Sequence, residues 1–126
     1  MNNLRFLSEK PNPLVEKSYL FSIKLVKTVK GLQNKQNEFI LSKQLLRSGT
    51  AVGALFFEGQ YAQSSADFIN KLSISLKEAN ETKYWIVLLN ETEYIDNSHF
   101  STLLSVIEDI LKMLTSSIKT AKQNNK

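Results

Sequence analysis

The stretch QLLRSGTAVGALFFEG, residues 44–59, decides the fold. In a helical projection of the surrounding segment the charged side is narrow, and apolar side chains cover more than half of the circumference. A helix of this kind needs neighbours on two sides. Two glycines, Gly49 and Gly53, lie inside it, and each costs about 1 kcal/mol relative to alanine unless close packing offsets that cost. The pattern predicts a central helix from about residue 38 to residue 61.

Three further segments have helical periodicity. Asn12 is a good N-cap and Pro13 suits a first turn, so the first helix should cover residues 13–32. Ser64 and Asp67 have the spacing of a capping box at the start of the third, residues 65–90, and the fourth covers residues 98–121. Asn37 is the expected cap of the second helix. The core stripe of the first helix should consist of Leu14, Val15, Phe21, Leu25, Val26, Val29 and Leu32.

Short loops join antiparallel neighbours, so these elements predict an all-α fold. The expected architecture is a single-domain, antiparallel up-down-up-down four-helix bundle over residues 13–122. Residues 1–12 would form an N-terminal extension and residues 123–126 a frayed tail. The chain has 126 residues, a length that suits one domain.

The composition narrows the classes of function. The chain contains no cysteine, which leaves no disulfide or thiolate metal site. The longest apolar run has six residues, Tyr84 to Leu89, whereas a membrane span needs about 20. No signal peptide is evident, and we expect a cytoplasmic protein that does not enter a membrane.

The net charge of +4 is unevenly distributed. Residues 1–47 carry nine basic and three acidic side chains, whereas residues 48–126 carry seven basic and nine acidic ones. A basic first third could meet nucleic acid or an acidic partner, and it could equally be a solvated lysine-rich surface.

The sequence offers no catalytic constellation. His99 is the only histidine, so no second histidine can complete a metal pair, and a serine triad would have to use His99 itself. A lone histidine at the start of a helix is expected to be a surface residue. Glu78 and Glu81 are expected to be a solvated pair, with Lys77 four residues before Glu81. An arginine followed closely by a histidine, as in some small helical ribonucleases, is missing, because Arg47 is the last arginine. We therefore predict no enzymatic activity, no cofactor and no metal.

Four segments taken together carry a resemblance to a known family. Residues 16–27, 44–59, 67–89 and 108–122 resemble, in order and spacing, the four-helix-bundle proteins encoded by intervening sequences in bacterial 23S ribosomal RNA genes. The family often has Ser-Ile-x-Ala-Asn where this chain has residues 51–55, so that Leu55 replaces an asparagine. The resemblance implies a four-helix bundle and a ring-shaped homopentamer, as in the related accessory proteins of diversity-generating retroelements. Those relatives bind nucleic acid and a reverse transcriptase through a basic surface.

These observations are consistent with two functions. The first is an oligomeric bundle that binds RNA or DNA through Lys17, Lys24, Lys27, Lys30, Lys43 and Arg47. The second is a protein-interaction or scaffold module without nucleic-acid binding. In either case the apolar excess on the second and third helices predicts self-association, because exposed apolar patches of that size usually mark interfaces. The candidate interface residues are Leu20, Leu55, Phe56, Phe57, Tyr84, Trp85 and Leu88.

Overall fold

The computed structural model describes residues 12–124, and within that range the chain is helical with no strand. The helices are α1 (Pro13–Gln36), α2 (Leu41–Gly59), α3 (Ser65–Glu91) and α4 (Asn97–Asn124). Consecutive helices pack against each other, and α1 meets α4 over a smaller contact, so the elements form a four-helix bundle. The predicted all-α fold class is confirmed.

The predicted starts of α1 and α3 are confirmed by their capping contacts. The Asn12 side chain accepts hydrogen bonds from the backbone N–H groups of Leu14 and Val15, at 3.1 and 3.3 Å. Ser64 accepts one from the N–H of Asp67 at 3.1 Å. These contacts satisfy N–H groups that have no partner inside the helix.

The connection between α1 and α2 differs from the prediction. Helix α1 continues through Gly31 to Gln36, and Asn37 adopts the left-handed conformation (φ 54°) that ends it. The expectation that Asn37 caps α2 is therefore wrong. The buried carboxylate of Glu38 does so instead, because it accepts hydrogen bonds from the N–H groups of Ile40, Leu41 and Ser42 at 2.7–3.2 Å.

The ends of the other helices move by small amounts. Helix α2 occupies Leu41–Gly59, shorter at both ends than the predicted residues 38–61. Helix α4 continues to Asn124 and so includes two residues of the predicted tail. Residues 1–11 of the predicted extension and residues 125–126 lie outside the described part of the chain.

The core lies along the axis between the four helices. Its fully buried side chains include Phe21, Leu25, Leu45, Leu72, Ile86, Leu89, Leu103, Ile107, Ile110 and Leu114. Side chains of α1 and α3 pack directly against the backbone of α2 at Gly49, where an added Cβ would lie 1.9 Å from Leu25 Cδ1 and 3.5 Å from Thr82 Cγ2. The small residues of the decisive stretch therefore serve the close packing that their sequence predicted.

Buried polar groups are paired across the same interface. Thr82 Oγ1 donates to Ser48 Oγ at 3.0 Å, and Ser75 Oγ donates to the backbone oxygen of Val52 at 2.7 Å. Within residues 12–124 no buried side-chain nitrogen or oxygen lacks a partner. Since an unpaired buried polar group is costly, these contacts fix how α2 and α3 sit against each other.

Candidate interaction surfaces

The first candidate surface is the α1 lysine stripe, which we define as Lys17, Lys24 and Lys27. These residues recur at intervals of seven and three, so they share one side of the helix. Lys24 and Lys27 are exposed, and neither forms an ion pair with another residue of 12–124. Lys17 differs, because its Nζ lies 3.6 Å from Asp109 on α4. Two of the three lysines are thus open to an anionic partner.

Arg47, a further candidate for phosphate contact, is held by two carboxylates of α3. Its guanidinium donates to Glu78 at 3.3 Å and to Glu81, whose Oε2 also accepts a hydrogen bond from the indole of Trp85 at 2.9 Å. The hydrogen bonds from Trp85 and Arg47 hold the pKa of Glu81 below its ordinary value. Glu78 and Glu81, predicted to be a solvated pair beside Lys77, are partly exposed, and the prediction missed Arg47, which bridges them to α2.

Lys30 and Lys43, the remaining basic candidates, lie nearer to the junction of α1 and α2 than the α1 lysine stripe does. Lys30 follows Tyr19, Ile23 and Val26 at helical spacing along α1, and Lys43 starts the corresponding row along α2. Both lysines are exposed. The six predicted basic residues are therefore spread over two helices, and two of them, Lys17 and Arg47, are paired with carboxylates.

The second surface is apolar and lies where α1 and α2 meet. We call it the α1–α2 face. Its exposed members on α1 are Tyr19, Ile23 and Val26, with 37–40% of their surface accessible. Beside them a groove of about 220 Å³ lies between the two helices, lined by Val15, Ser18, Tyr19, Ser22, Thr50, Gly53, Ala54 and Phe57.

Most residues of the α1–α2 face were not predicted from the sequence to be exposed. Val26 was assigned to the core stripe of α1, but 40% of it is exposed. The signal was present, because Tyr19, Ile23 and Val26 are spaced by four and three residues and so form a second apolar row. The row borders the wide core stripe of α1, so the two could not be separated by spacing alone.

The third surface is the outer side of α3, which we call the α3 face: Ile74, Tyr84, Val87 and Leu88. Tyr84 is 61% exposed, and its ring packs edge-on against Trp85 with centroids 5.1 Å apart. Ile74 and Val87 are exposed by more than a third. Leu88 is half-buried. Part of the apolar run at residues 84–89 therefore remains uncovered in the single subunit.

The other interface candidates are distributed over the subunit. Leu20 is 47% exposed and lies beside the α1 lysine stripe. Leu55, Phe57 and Trp85 are half-buried. Phe56 lies in the core of its own subunit with 4% exposure, because it points inward between the helices.

The only histidine joins α1 to α4. His99 Nε2 lies 2.9 Å from the hydroxyl oxygen of Thr28. Within residues 12–124, no group of three or more histidine, cysteine, aspartate or glutamate side chains could hold a metal ion. None of the four helices is sufficiently long and apolar to cross a membrane.

Comparison with known proteins places the chain in a family. A sequence model described as 23S rRNA-intervening sequence protein matches residues 11–116, and the chain belongs to this family. The chain is also similar to a crystal structure of a protein with unknown function from the S23 ribosomal protein family of Bacteroides thetaiotaomicron VPI-5482. The two share 50% identity and a TM-score of 0.83, over 84% of this chain and 98% of that one. No curated protein matches. The resemblance inferred from the sequence is confirmed.

Proposed function

We propose that this member of the 23S rRNA-intervening sequence protein family is a non-enzymatic cytoplasmic assembly protein that forms a symmetric homo-oligomer. The observation that carries the proposal is the uncovered apolar surface of the α1–α2 face and the α3 face. Exposed apolar residues that cluster on one side of a soluble protein often mark an interaction site. Five subunits are the expected number, following the family resemblance.

Light scattering on purified protein tests the assembly. We expect a mass well above the 14.4 kDa of one chain at micromolar concentration. A single species at the monomer mass would refute the proposal, since both apolar faces would then be tolerated in water.

The α1 lysine stripe supports a second function, binding of RNA or DNA by the assembled protein. Lys24 and Lys27 are exposed and unpaired within residues 12–124, and an oligomer would repeat them once per subunit. Contacts of lysine with phosphate require charge but little geometry, so binding should depend on salt and only weakly on sequence. Lys17 contributes less, because Asp109 offsets its charge.

Titration of binding against salt tests this second function. The double variant Lys24→Gln/Lys27→Gln should bind more weakly, and the slope of log affinity against log salt should fall by about 0.7–0.9 for each lysine that contacts a phosphate. The matched control is Lys112→Gln/Lys119→Gln on α4, which removes the same charge from exposed positions elsewhere. If the parent does not bind, the scaffold function without nucleic-acid contact is favoured. If both double variants lose affinity equally, binding follows the net charge and the α1 lysine stripe is not the site.

A further inference from the structure

We propose that the α1 lysine stripe takes a single-stranded nucleic acid, and that His99 on α4 is the aromatic ring on which one of its unpaired bases stacks. This inference rests on the proposed binding of RNA or DNA, and it names the form of nucleic acid and a residue that selects it. Lysines alone contact the phosphates, which single strands and duplexes share.

The stripe has no aromatic ring on its own helix. Of the two aromatic residues of α1, Phe21 is buried in the core and Tyr19 belongs to the α1–α2 face. The packing of α4 on α1 supplies a ring instead, because His99 Nε2 lies 2.9 Å from Thr28 Oγ1. Thr28 lies one helical turn after Lys24, and the His99 side chain is exposed. An accessible aromatic ring therefore borders the stripe.

Hydrogen bonds hold this ring in place. Thr28 Oγ1 donates its single hydrogen to the backbone oxygen of Lys24 at 2.9 Å, so His99 Nε2 is the donor toward Thr28 Oγ1. The backbone N–H of His99 donates to Asp96 Oδ1 at 2.8 Å. A side chain that is already positioned loses little conformational entropy when a ligand binds to it. Histidine is among the residues on which proteins stack unpaired bases, so His99 is suited to this contact.

The surface of α1 next to the ring leaves room for a base. Gly31 lies three residues after Thr28 and two helical turns after Lys24, on the same side of the helix as the stripe. An added Cβ at Gly31 would meet nothing within 4 Å. Glycine is less favourable than alanine inside a helix, and at this position close packing does not offset the difference. A flat group thus has space over the backbone of α1, beside the ring of His99.

The charges around the ring determine where the phosphates lie. Lys24 and Lys27 are exposed, and neither forms an ion pair with another residue of 12–124. Asp96, which is also exposed, places a negative charge at the start of α4. Phosphates are attracted to the lysines and repelled by Asp96, so the strand should follow α1. An uncharged base can then turn toward α4 and stack on His99.

Stacking on His99 requires a base that is free to leave its neighbours. In a duplex each base is paired and stacked, and extruding it costs free energy. This surface should therefore bind an unpaired strand more tightly than the same strand in a duplex, although the duplex carries more phosphate charge. Every base has an aromatic face, so the sequence of the strand should matter little.

Binding of one RNA in two forms tests the inference. The probe is a short fluorescent RNA, used as a single strand and annealed to its complement, in one buffer at low salt. We expect the parent to bind the single strand more tightly. His99→Ala should weaken single-strand binding by about fivefold or more, as removal of a stacking partner does, and leave duplex binding unchanged.

Two further variants separate stacking from other causes. The matched control Tyr61→Ala removes an exposed aromatic ring near the other end of α1, where Gln60 contacts Asn12, and it should bind both forms as the parent does. Gly31→Met fills the space beside the ring with a good helix former, so it should weaken single-strand binding without lowering the free energy of unfolding. Light scattering and circular dichroism check that each variant keeps the mass and helix content of the parent.

Nuclear magnetic resonance supplies a readout that a purely structural role of His99 would not move. His99 is the only histidine, so in protein without a tag its ring protons give signals that need no further assignment. Stacking places these protons over a base, whose ring current shifts the signals upfield. The duplex should leave them in place.

Each outcome decides the question. A single-strand preference that is lost in His99→Ala and Gly31→Met but kept in Tyr61→Ala, with the upfield shift, supports stacking. Equal binding of both forms by the parent, equal loss of both forms in His99→Ala, or histidine signals that stay in place would overturn it and leave nucleic-acid binding intact. A parent that binds neither form refutes the proposed binding itself, which is a separate result.

Discussion

Alanine at Gly49 and alanine at Gly31 should have opposite effects on stability. Both glycines lie inside helices, where alanine is favoured by about 1 kcal/mol. An added Cβ at Gly31 meets nothing within 4 Å, so Gly31→Ala should raise the free energy of unfolding by about 0.5–1 kcal/mol. At Gly49 the same atom would lie 1.9 Å from Leu25 Cδ1, inside the van der Waals radii.

The cost at Gly49 follows from the burial of Leu25. This side chain is completely buried, so it can move only by displacing other core atoms. Overpacking of a core typically costs about 1–3 kcal/mol. After the gain in helix propensity, Gly49→Ala should lower the free energy of unfolding by up to about 2 kcal/mol. For a chain of this size, 1 kcal/mol corresponds to about 4 °C in Tm.

The assay is denaturant unfolding followed by circular dichroism, with all variants at one protein concentration because assembly adds to apparent stability. Leu25→Ala completes a double-mutant cycle. It removes Cδ1 and should cost about 2–5 kcal/mol on its own. In that background Gly49→Ala should become stabilising, which gives a coupling energy of about 1–3 kcal/mol.

Two results would refute the reasoning. Gly49→Ala could stabilise the parent as much as Gly31→Ala does, or its effect could be the same with and without the Leu25 side chain. Either outcome would mean that α1 and α2 do not approach at Gly49 as closely as the structure shows. If Leu25→Ala does not fold, Leu25→Val, which shortens the side chain by one carbon, takes its place in the cycle.

Three further predictions concern polar contacts. Burial disfavours the charged form of Glu38, but the hydrogen bonds from the backbone of Ser42, Leu41 and Ile40 outweigh burial and lower the pKa of Glu38 below 4.5. The stabilisation that these bonds provide should be present above that pH and lost as the pH falls through the folded-state pKa. Glu38→Gln should therefore be less stable than the parent at neutral pH, and its stability should decline less below about pH 4.5 in unfolding titrations. Arg47→Gln should reduce the free energy of unfolding by no more than about 1 kcal/mol, because its ion pairs with Glu78 and Glu81 are partly exposed. The same variant should leave the salt slope of nucleic-acid binding unchanged. A drop in slope equal to that of Lys24→Gln would contradict the pairing of Arg47 with the two carboxylates. Ser75→Ala should cost about 0.5–1.5 kcal/mol in chemical denaturation, since it removes one buried hydrogen bond to Val52, whereas the exposed Ser73→Ala should change stability by less than about 0.5 kcal/mol.

Periodicity and caps were sufficient to predict the bundle, because both are local properties of the chain. Asn12 and Ser64 act within three residues of their own position, so their roles can be read without a tertiary structure. The cap of α2 could not be predicted in this way. Glutamate is an unusual cap for the N-terminus of a helix. Asn37, the residue before it, looks from the sequence like an equally good cap of α2, but it adopts the left-handed conformation that ends α1.

Which basic residues remain available could not be predicted from the sequence either. Arg47 looked free because its partners, Glu78 and Glu81, lie more than thirty residues later and reach it only through the packing of α2 on α3. Lys17 is likewise engaged by Asp109 across the bundle. Ion pairs between helices depend on their relative rotation, and a hydrophobic stripe specifies that rotation only to within the width of the stripe.

The geometry of α1 would let the proposed assembly and the proposed nucleic-acid binding use separate sides of one helix. Successive residues are rotated by about 100° on a helix, so Ile23 lies on the α1–α2 face while Lys24 lies on the lysine stripe. A contact that covers the row of Tyr19, Ile23 and Val26 leaves Lys24 and Lys27 on an adjacent side, where each added subunit contributes two more positive charges. Substitutions of Lys24 and Lys27 should therefore change nucleic-acid binding without changing the mass of the assembly in light scattering, and a loss of mass in those variants would show that the two properties share one side of α1.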